Sequence, residues 1–441
     1  MARGFGQAMT ALSFPDFRRF ATSLLLTSIG MQLIQVAIFW QVYEITGSAL
    51  LLGLTGLARA APHMVLSLMG GVIADRWNRV RLIQVGQFAN GLTVAALAIL
   101  TLAGTVEVWH LYVVTVLNSA FSAISNPARA AVIPALVPRE NLVNAIALNA
   151  TIQQVSQIVG PALGGIAIAV IDLGGTYVIN GVVYLLAMIV IFGIKASTTP
   201  LATTSSPWSS FVEGMAFVRK RRVIVSLLAL DLGETVLGSY RALLPIFADL
   251  LGVGATGFGI LGGAPGIGSV LGAFFILSLG NMRYKGLYVA GGVLGYCGAL
   301  FVLALAPWFW LALIGGVLLG ATNSIQMVPR NTVILAISPD ALRGRVEAFR
   351  SMVAGGGPPL GFTLSGVLAA AIGAPLALVV GGIACAGMVG AIVLADRELR
   401  DPNLGDLLPE EDSTHPSAGP TSGPTSSTAS HTDARIEGAH N

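Results

Sequence analysis

Gly71-Val72-Ile73-Ala74-Asp75-Arg76-Trp77-Asn78-Arg79-Val80-Arg81 places three arginines and one carboxylate at the junction of two long apolar runs, 49–74 and 80–103. A helix needs about 20 apolar residues to cross a bilayer, and each run is long enough. Outward from this junction the pattern recurs. Runs fall at about 20–43, 107–129, 141–171, 174–195, 223–250, 256–280, 286–306, 308–336, 343–371 and 374–395. With the first two they make twelve.

Composition points the same way. Charged residues are 10% of the 441 and apolar residues 54%, against about 25% charged in soluble proteins. Mean hydropathy is +0.79. Such a chain lacks the charge to cover a surface in water, but lipid can cover it. Its 54 glycines suit helices that approach closely within a membrane. The net charge of +3 does not point to nucleic acid, because no basic stripe carries interleaved aromatics. Cys297 and Cys385 each sit in an apolar stretch and give neither a disulfide framework nor a metal cluster. The first apolar run follows Arg18 and Arg19 and is too long for a cleavable leader, so it reads as the first span.

The basic residues fix an orientation. Of the 24 Lys and Arg, 22 fall in the termini or in alternate loops on one side, Arg129 and Arg330 among them. The positive-inside rule places that side, with both termini, in the cytoplasm. The expected architecture is an all-α membrane protein of twelve transmembrane helices in two pseudo-symmetric six-helix bundles. Residues 1–195 form one half and 223–400 the other. A cytoplasmic linker, 196–222, carries an amphipathic piece whose Phe211, Met215, Phe217 and Val218 are expected on the membrane surface. Residues 401–441, rich in Ser, Thr, Pro and Gly, read as a disordered tail. Weak internal echoes, such as Pro161-x-x-Gly164 and Pro358-x-x-Gly361, mark a two-half transporter with its site between the halves.

The junction quoted first resembles the G-x-x-x-D-R-x-G-R-[KR] loop signature of the major facilitator superfamily, with Asn78 in place of the usual Gly. Both residues tolerate a left-handed turn. The resemblance implies that Gly71, Asp75, Arg76 and Arg79 form a cytoplasmic latch between the halves. The other reading is a topology-setting basic loop. Gly160-Pro161-Ala162-Leu163-Gly164-Gly165 is similar to the antiporter motif of exporters in this superfamily, or else is a generic packing site. Thr115 stands where drug antiporters carry a membrane arginine. Pro15–Arg19, Asn126–Leu142 and Arg241–Asp249 resemble the subgroup of enterobactin exporters and macrolide-efflux proteins.

Ionisable residues within spans are costly and therefore functional candidates. These are Arg59 and His63 in span two and Asp231, Glu234 and Arg241 in span seven. On one continuous helix the last three fall within about 80° of one face. Asp231 and Glu234 either titrate toward a central cavity, with Arg59 as partner across the halves, or belong to a permanent ion-pair network. Gln32 and Gln35 are expected to line the cavity, His63 to pack, and Glu44 and Asp249 to be solvated.

The expectation is a secondary transporter of the plasma membrane, in all a bacterial inner-membrane, proton-coupled exporter of a small amphipathic compound such as a drug or siderophore. It would work as a monomer without cofactor or metal. The alternatives are a lipid or lysolipid flippase or an importer on the same fold. An intramembrane enzyme is disfavoured, since no HExxH, nucleophile dyad or Walker A sequence is present. A channel is disfavoured by the two-half repeat.

Overall fold

The computed structural model describes residues 10–194, 207–280, 282–339, 342–402 and 404, with the side chains of 67–76, 207–211, 348, 351 and 352 excepted. The N-terminal half begins with α1 (Pro15–Thr46), α2 (Ala49–Arg76), α3 (Arg79–Leu102) and α4 (Val108–Leu136). Leu142–Phe192 is hydrogen-bonded almost throughout, but Asp172 (φ 57°, ψ 178°) breaks it. A single rod of its 51 residues would be roughly 76 Å long, far beyond a bilayer core of about 30 Å. It is therefore two helices, α5 (142–171) and α6 (173–192).

The linker helix α7 (Pro207–Lys220) leads to α8 (Arg222–Leu237) and α9 (Leu244–Leu250). Then come α10 (Gly254–Ser278), α11 (Lys285–Ala304), α12 (Phe309–Ile337), α13 (Arg343–Ile372) and α14 (Ala374–Ala395). Span seven is thus broken rather than continuous. The chain turns at Gly238 and makes a short 3-10 turn at Arg241–Leu243 before α9. The apolar run continues across the break, so hydropathy alone does not see it.

Two seams join the halves, α2 with α13 and α5 with α10. Both depend on glycine. A Cβ on Gly53 of α2 would lie 2.7 Å from the Gly366 Cα of α13, and one on Gly165 of α5 would lie 2.8 Å from the Gly259 Cα of α10. Backbones this close gain dispersion contacts that lipid cannot match.

The core divides by depth. At the end opposite the termini, one cluster runs through both halves, from Val36, Phe39 and Tyr177 to Leu243, Leu300 and Phe362. Tyr43 donates to the Asp249 carboxylate there at 2.8 Å, so Asp249 ties the halves together. Trp40 stacks on Phe258 at 5.9 Å, and Phe39 meets Phe362 edge-on at 5.7 Å. At the end carrying the termini the cores are separate among the described residues. One holds Phe17, Phe20, Val132 and Ile191, the other Ile224, Val333, Val389 and Leu399. Among the described residues the hydrophobic core is continuous across the halves at the far end and divided at the termini end.

Two peripheral expectations change. Val218 of α7 is buried in the core of the second half, with Phe217 packed against it, and Arg345 pairs with Glu213. This part of the linker docks on protein rather than on lipid. Pro402 and Leu404, expected to belong to the tail, are instead docked on the second half. The Tyr284 N–H donates to the Pro402 carbonyl, and Leu404 is fully buried. Residues 195–206 and 405–441 lie outside the described residues.

Candidate functional site

α8 carries Asp231 and Glu234 one turn apart on one face. α12 faces them with Asn323, Gln326 and Arg330, residues three and four apart and so on one stripe. The groups form a continuous chain. Arg330 pairs with Asp231 and donates to Gln326 Oε1 at 2.9 Å. Gln326 donates to Glu234 at 2.7 Å, and Asn323 donates to its other oxygen at 2.8 Å. Asp231, Glu234, Gln326 and Arg330 are at most 5% exposed. A buried pair of this kind loses hydration on both ions and recovers it only through good geometry. Arg330 Nε is nevertheless left without a partner among the described groups.

Arg330 was not expected here. Beside Pro329 and near the end of an apolar run, it reads as a cytoplasmic loop residue. The apolar run 308–336 already extends past it, and α12 continues two turns further, to Ile337. The signal that finds it is the polar stripe Asn323-x-x-Gln326-x-x-x-Arg330, which an otherwise apolar helix has no reason to carry. Arg129 likewise sits inside α4 and not in a loop.

Arg241 does not share the helix face of the two acids, because α8 ends at Leu237. Its guanidinium lies 5.9 Å from the centre of the Tyr240 ring. A cavity of about 190 Å³ is lined by Glu234, Arg241, Tyr296, Asn323 and Phe362, with Gln157 from the other half.

A second cavity, of about 110 Å³, lies against the N-terminal half. Its polar lining includes Gln35, Arg59, His63 and Asn118, and its apolar lining includes Ile34, Phe39 and Phe362. Arg59 donates to Gln35 Oε1 at 2.9 Å. Its partner is therefore a neutral amide of its own half and not a span-seven acid, since those acids are held by α12. Gln35 reaches the cavity as expected. Gln32 instead packs over Gly160, where an added Cβ would lie 2.5 Å from the Gln32 Cβ. His63 both lines the cavity and packs against Gly355 of α13.

In the loop signature, the side chains of Gly71, Asp75 and Arg76 lie outside the described residues. Arg79 donates to the Ala131 carbonyl of α4 at 3.0 Å. Asn78 is not in a left-handed turn. At φ −62°, ψ 117° it is the N-cap of α3, and its side chain accepts from the Arg81 N–H at 3.1 Å. Asparagine is suited to that position because its carbonyl satisfies an N–H that has no partner within the helix. In the span-five motif, Gly160 and Gly164 pack on α1, while Gly165 and the Pro161 carbonyl meet α10 at the seam. Cys297 and Cys385, distant in sequence, are free thiols buried in the same core of the second half.

Comparison with known proteins agrees with this geometry. The family model for transmembrane secretion effectors matches residues 7–421. The enterobactin exporter EntS of Shigella boydii serotype 4 is 24% identical over 356 residues, covering 81% of this chain and 86% of the relative. EntS of Escherichia coli O81 matches to the same extent, 24% over 356 residues. Among solved structures, the D-xylose-proton symporter superposes with a TM-score of 0.68 at 15% identity, covering 89% of this chain and 99% of the other. A bacterial homologue of the human lysosomal transporter Spinster, inward-facing and unoccupied, gives 0.66 at 16% identity, covering 86% and 94%. These relatives are transporters and not enzymes. With its whole helical body matched, the chain belongs to the transmembrane secretion effector family of the major facilitator superfamily.

Proposed function

We propose that this transporter is a proton-coupled exporter of a small amphipathic compound, working as a monomer by alternating access. The observation that carries the reading is the buried chain from Asp231 through Arg330 and Gln326 to Glu234, which ends in a carboxylate on a cavity between the halves. Asp231 has a cation, whereas Glu234 is held by two carboxamides. An ionised carboxylate in such a place costs several kcal/mol unless it is paired, so taking up a proton relieves it. As the halves rock, Glu234 meets one side and then the other and carries a proton between them. The Arg330–Asp231 pair sets the charge beside it. A proton-coupled sugar transporter on the same fold supports the feasibility of the coupling, and the enterobactin exporters support the direction. The basic termini end is the cytoplasmic side in this reading, so the observed state opens inward.

The test is substrate flux in inverted vesicles under an imposed pH gradient, with a panel of amphipathic drugs and siderophores. Glu234→Gln is expected to abolish gradient-driven flux and to leave counterflow down a substrate gradient. Full gradient-driven flux in Glu234→Gln would remove the coupling role. Flux only in the importing direction would favour an importer on the same fold.

A further inference from the structure

Two arginines at the centre of the molecule have no carboxylate. Arg59 of α2 has only the neutral Gln35 amide, and Arg241 has the Tyr240 ring. Neither forms an ion pair among the described residues, while the acids nearby are occupied. Asp231 pairs with Arg330, and both Glu234 oxygens accept from amides of α12. The turn that carries Arg241 packs against α2, which carries Arg59, so two cations without a carboxylate stand on touching elements of opposite halves. Each is half-buried and faces a cavity, and Phe362 lines both cavities.

Two like charges on packed elements at the boundary between the halves destabilise the empty protein. Lipid-embedded chains seldom retain such groups without use. What offsets them is a bound anion, and a guanidinium presents a planar fork suited to a carboxylate. Beside Arg59 the cavity wall includes the apolar side chains of Ile34, Ile38 and Phe39.

We propose that the transported compound carries a carboxylate on an apolar body, and that this carboxylate is bound between Arg59 of one half and Arg241 of the other. The apolar body lies against Ile34, Phe39 and Phe362. Because each half supplies one cation, the anion cancels the repulsion between them and lets the halves close around it. This assignment names the substrate class of the transport reading above, but its test needs neither a gradient nor a direction.

The experiment measures binding to purified protein in detergent with three matched probes: 1-naphthoate, its neutral carboxamide, and 1-naphthyl phosphate. The carboxylate is expected to bind about tenfold or more tightly than the amide, the size of one charge-assisted contact. Arg59→Gln or Arg241→Gln removes that preference and leaves amide binding unchanged, and Arg59→Lys restores part of it. Thermal unfolding without ligand supplies a reading independent of the probe: either glutamine variant is expected to unfold at the same temperature as the parent or higher, because a repulsion has gone. Equal binding of carboxylate and amide overturns the proposal. So does failure of all three probes to bind, a tenfold preference for the phosphate (a lipid-headgroup type of ligand), or a fall in unfolding temperature in both variants. If the carboxylate preference holds while gradient-driven export fails, the anion site stands and the export reading falls.

Discussion

The two halves are built to one plan but glued differently. Among the described residues of the N-terminal half, the polar side chains that are buried whole are neutral, although the Nε atoms of Arg79 and Arg129 are also buried. Gln87 donates to Ser23 at 2.8 Å and Thr27 at 3.0 Å, Asn180 donates to the Gly30 carbonyl at 2.7 Å, and Tyr177 donates to Gln41 at 2.8 Å. In the C-terminal half the corresponding depth holds an ion pair and a second carboxylate. Neutral hydrogen bonds between membrane helices are worth about 0.6 kcal/mol each and do not respond to pH. Buried ions are costly and do respond. On the proposed reading the halves have different tasks: the first presents Arg59 to its cavity, and the second holds the carboxylates proposed to change state.

The largest effect that contrast predicts is in Asp231→Asn. It leaves Arg330, 3% exposed, without its counterion, and breaking a buried pair from one side costs about 3–5 kcal/mol. Thermal unfolding in detergent should show a large drop. Replacing both partners, Asp231→Leu with Arg330→Met, should recover most of the stability while gradient-driven flux stays lost. A single variant as stable as the parent would mean that the pair contributes nothing the first half lacks, and the contrast would fail.

A substitution at the seam asks whether the halves move as bodies. An added Cβ on Gly56 would lie 2.1 Å from the Pro359 carbonyl and 2.7 Å from the Phe362 Cβ. Gly56→Val should cost about 1–3 kcal/mol through overpacking, all of it in the far-end-closed state seen here. The halves should then part at the far end. With Cys297 and Cys385 replaced by Ala, cross-linking of Tyr43→Cys with Asp249→Cys by a bifunctional thiol reagent reports closure there. Cross-linking is expected to fall in Gly56→Val, and an unchanged yield would show that the seam yields locally instead.

Much of this was legible in the chain, and what was missed has particular causes. The spans, the two halves and the loop signature follow from apolar run length and from where arginines are tolerated, both one-dimensional signals. Arg330 reads as the start of a cytoplasmic turn because a charge beside a proline usually marks the membrane boundary, although the apolar run 308–336 passes it; its partner Asp231 lies 99 residues away. The break at Gly238–Arg241 is silent in hydropathy, so a face drawn across it joined Arg241 wrongly to the acids. Asn78 was given a turn geometry when its side chain serves as a helix cap. Leu404 follows Asp401-Pro402-Asn403, a stretch without periodicity. Its burial is decided by the inner ends of other helices. In each case the missing information is which distant element arrives, and local pattern does not carry that.

The smallest effect comes from a matched pair of glutamines. Gln87 in the first half and Gln326 in the second are each at most 1% exposed and each bridge helices. In Gln87→Leu the hydroxyls it served keep their own acceptors, since Ser23 donates to the Ala187 carbonyl and Thr27 to the Ser23 carbonyl. The substitution also removes Gln87 Oε1, which has no partner among the described groups. The expected loss is about 0.6 kcal/mol, at most about 1.7, and the same at pH 6 and pH 8 (about two units apart, spanning the usual histidine range). In Gln326→Leu the groups left short are Arg330 and Glu234, and hydrogen bonds to charged groups are worth about 1.5–3 kcal/mol. That loss should be larger and should shrink at the lower pH, where a protonated Glu234 needs the amide donor less. Unfolding temperatures of the two variants at both pH values decide the matter. Equal, pH-independent losses would show that the second half is glued like the first, and that Glu234 does not change its proton occupancy in this range.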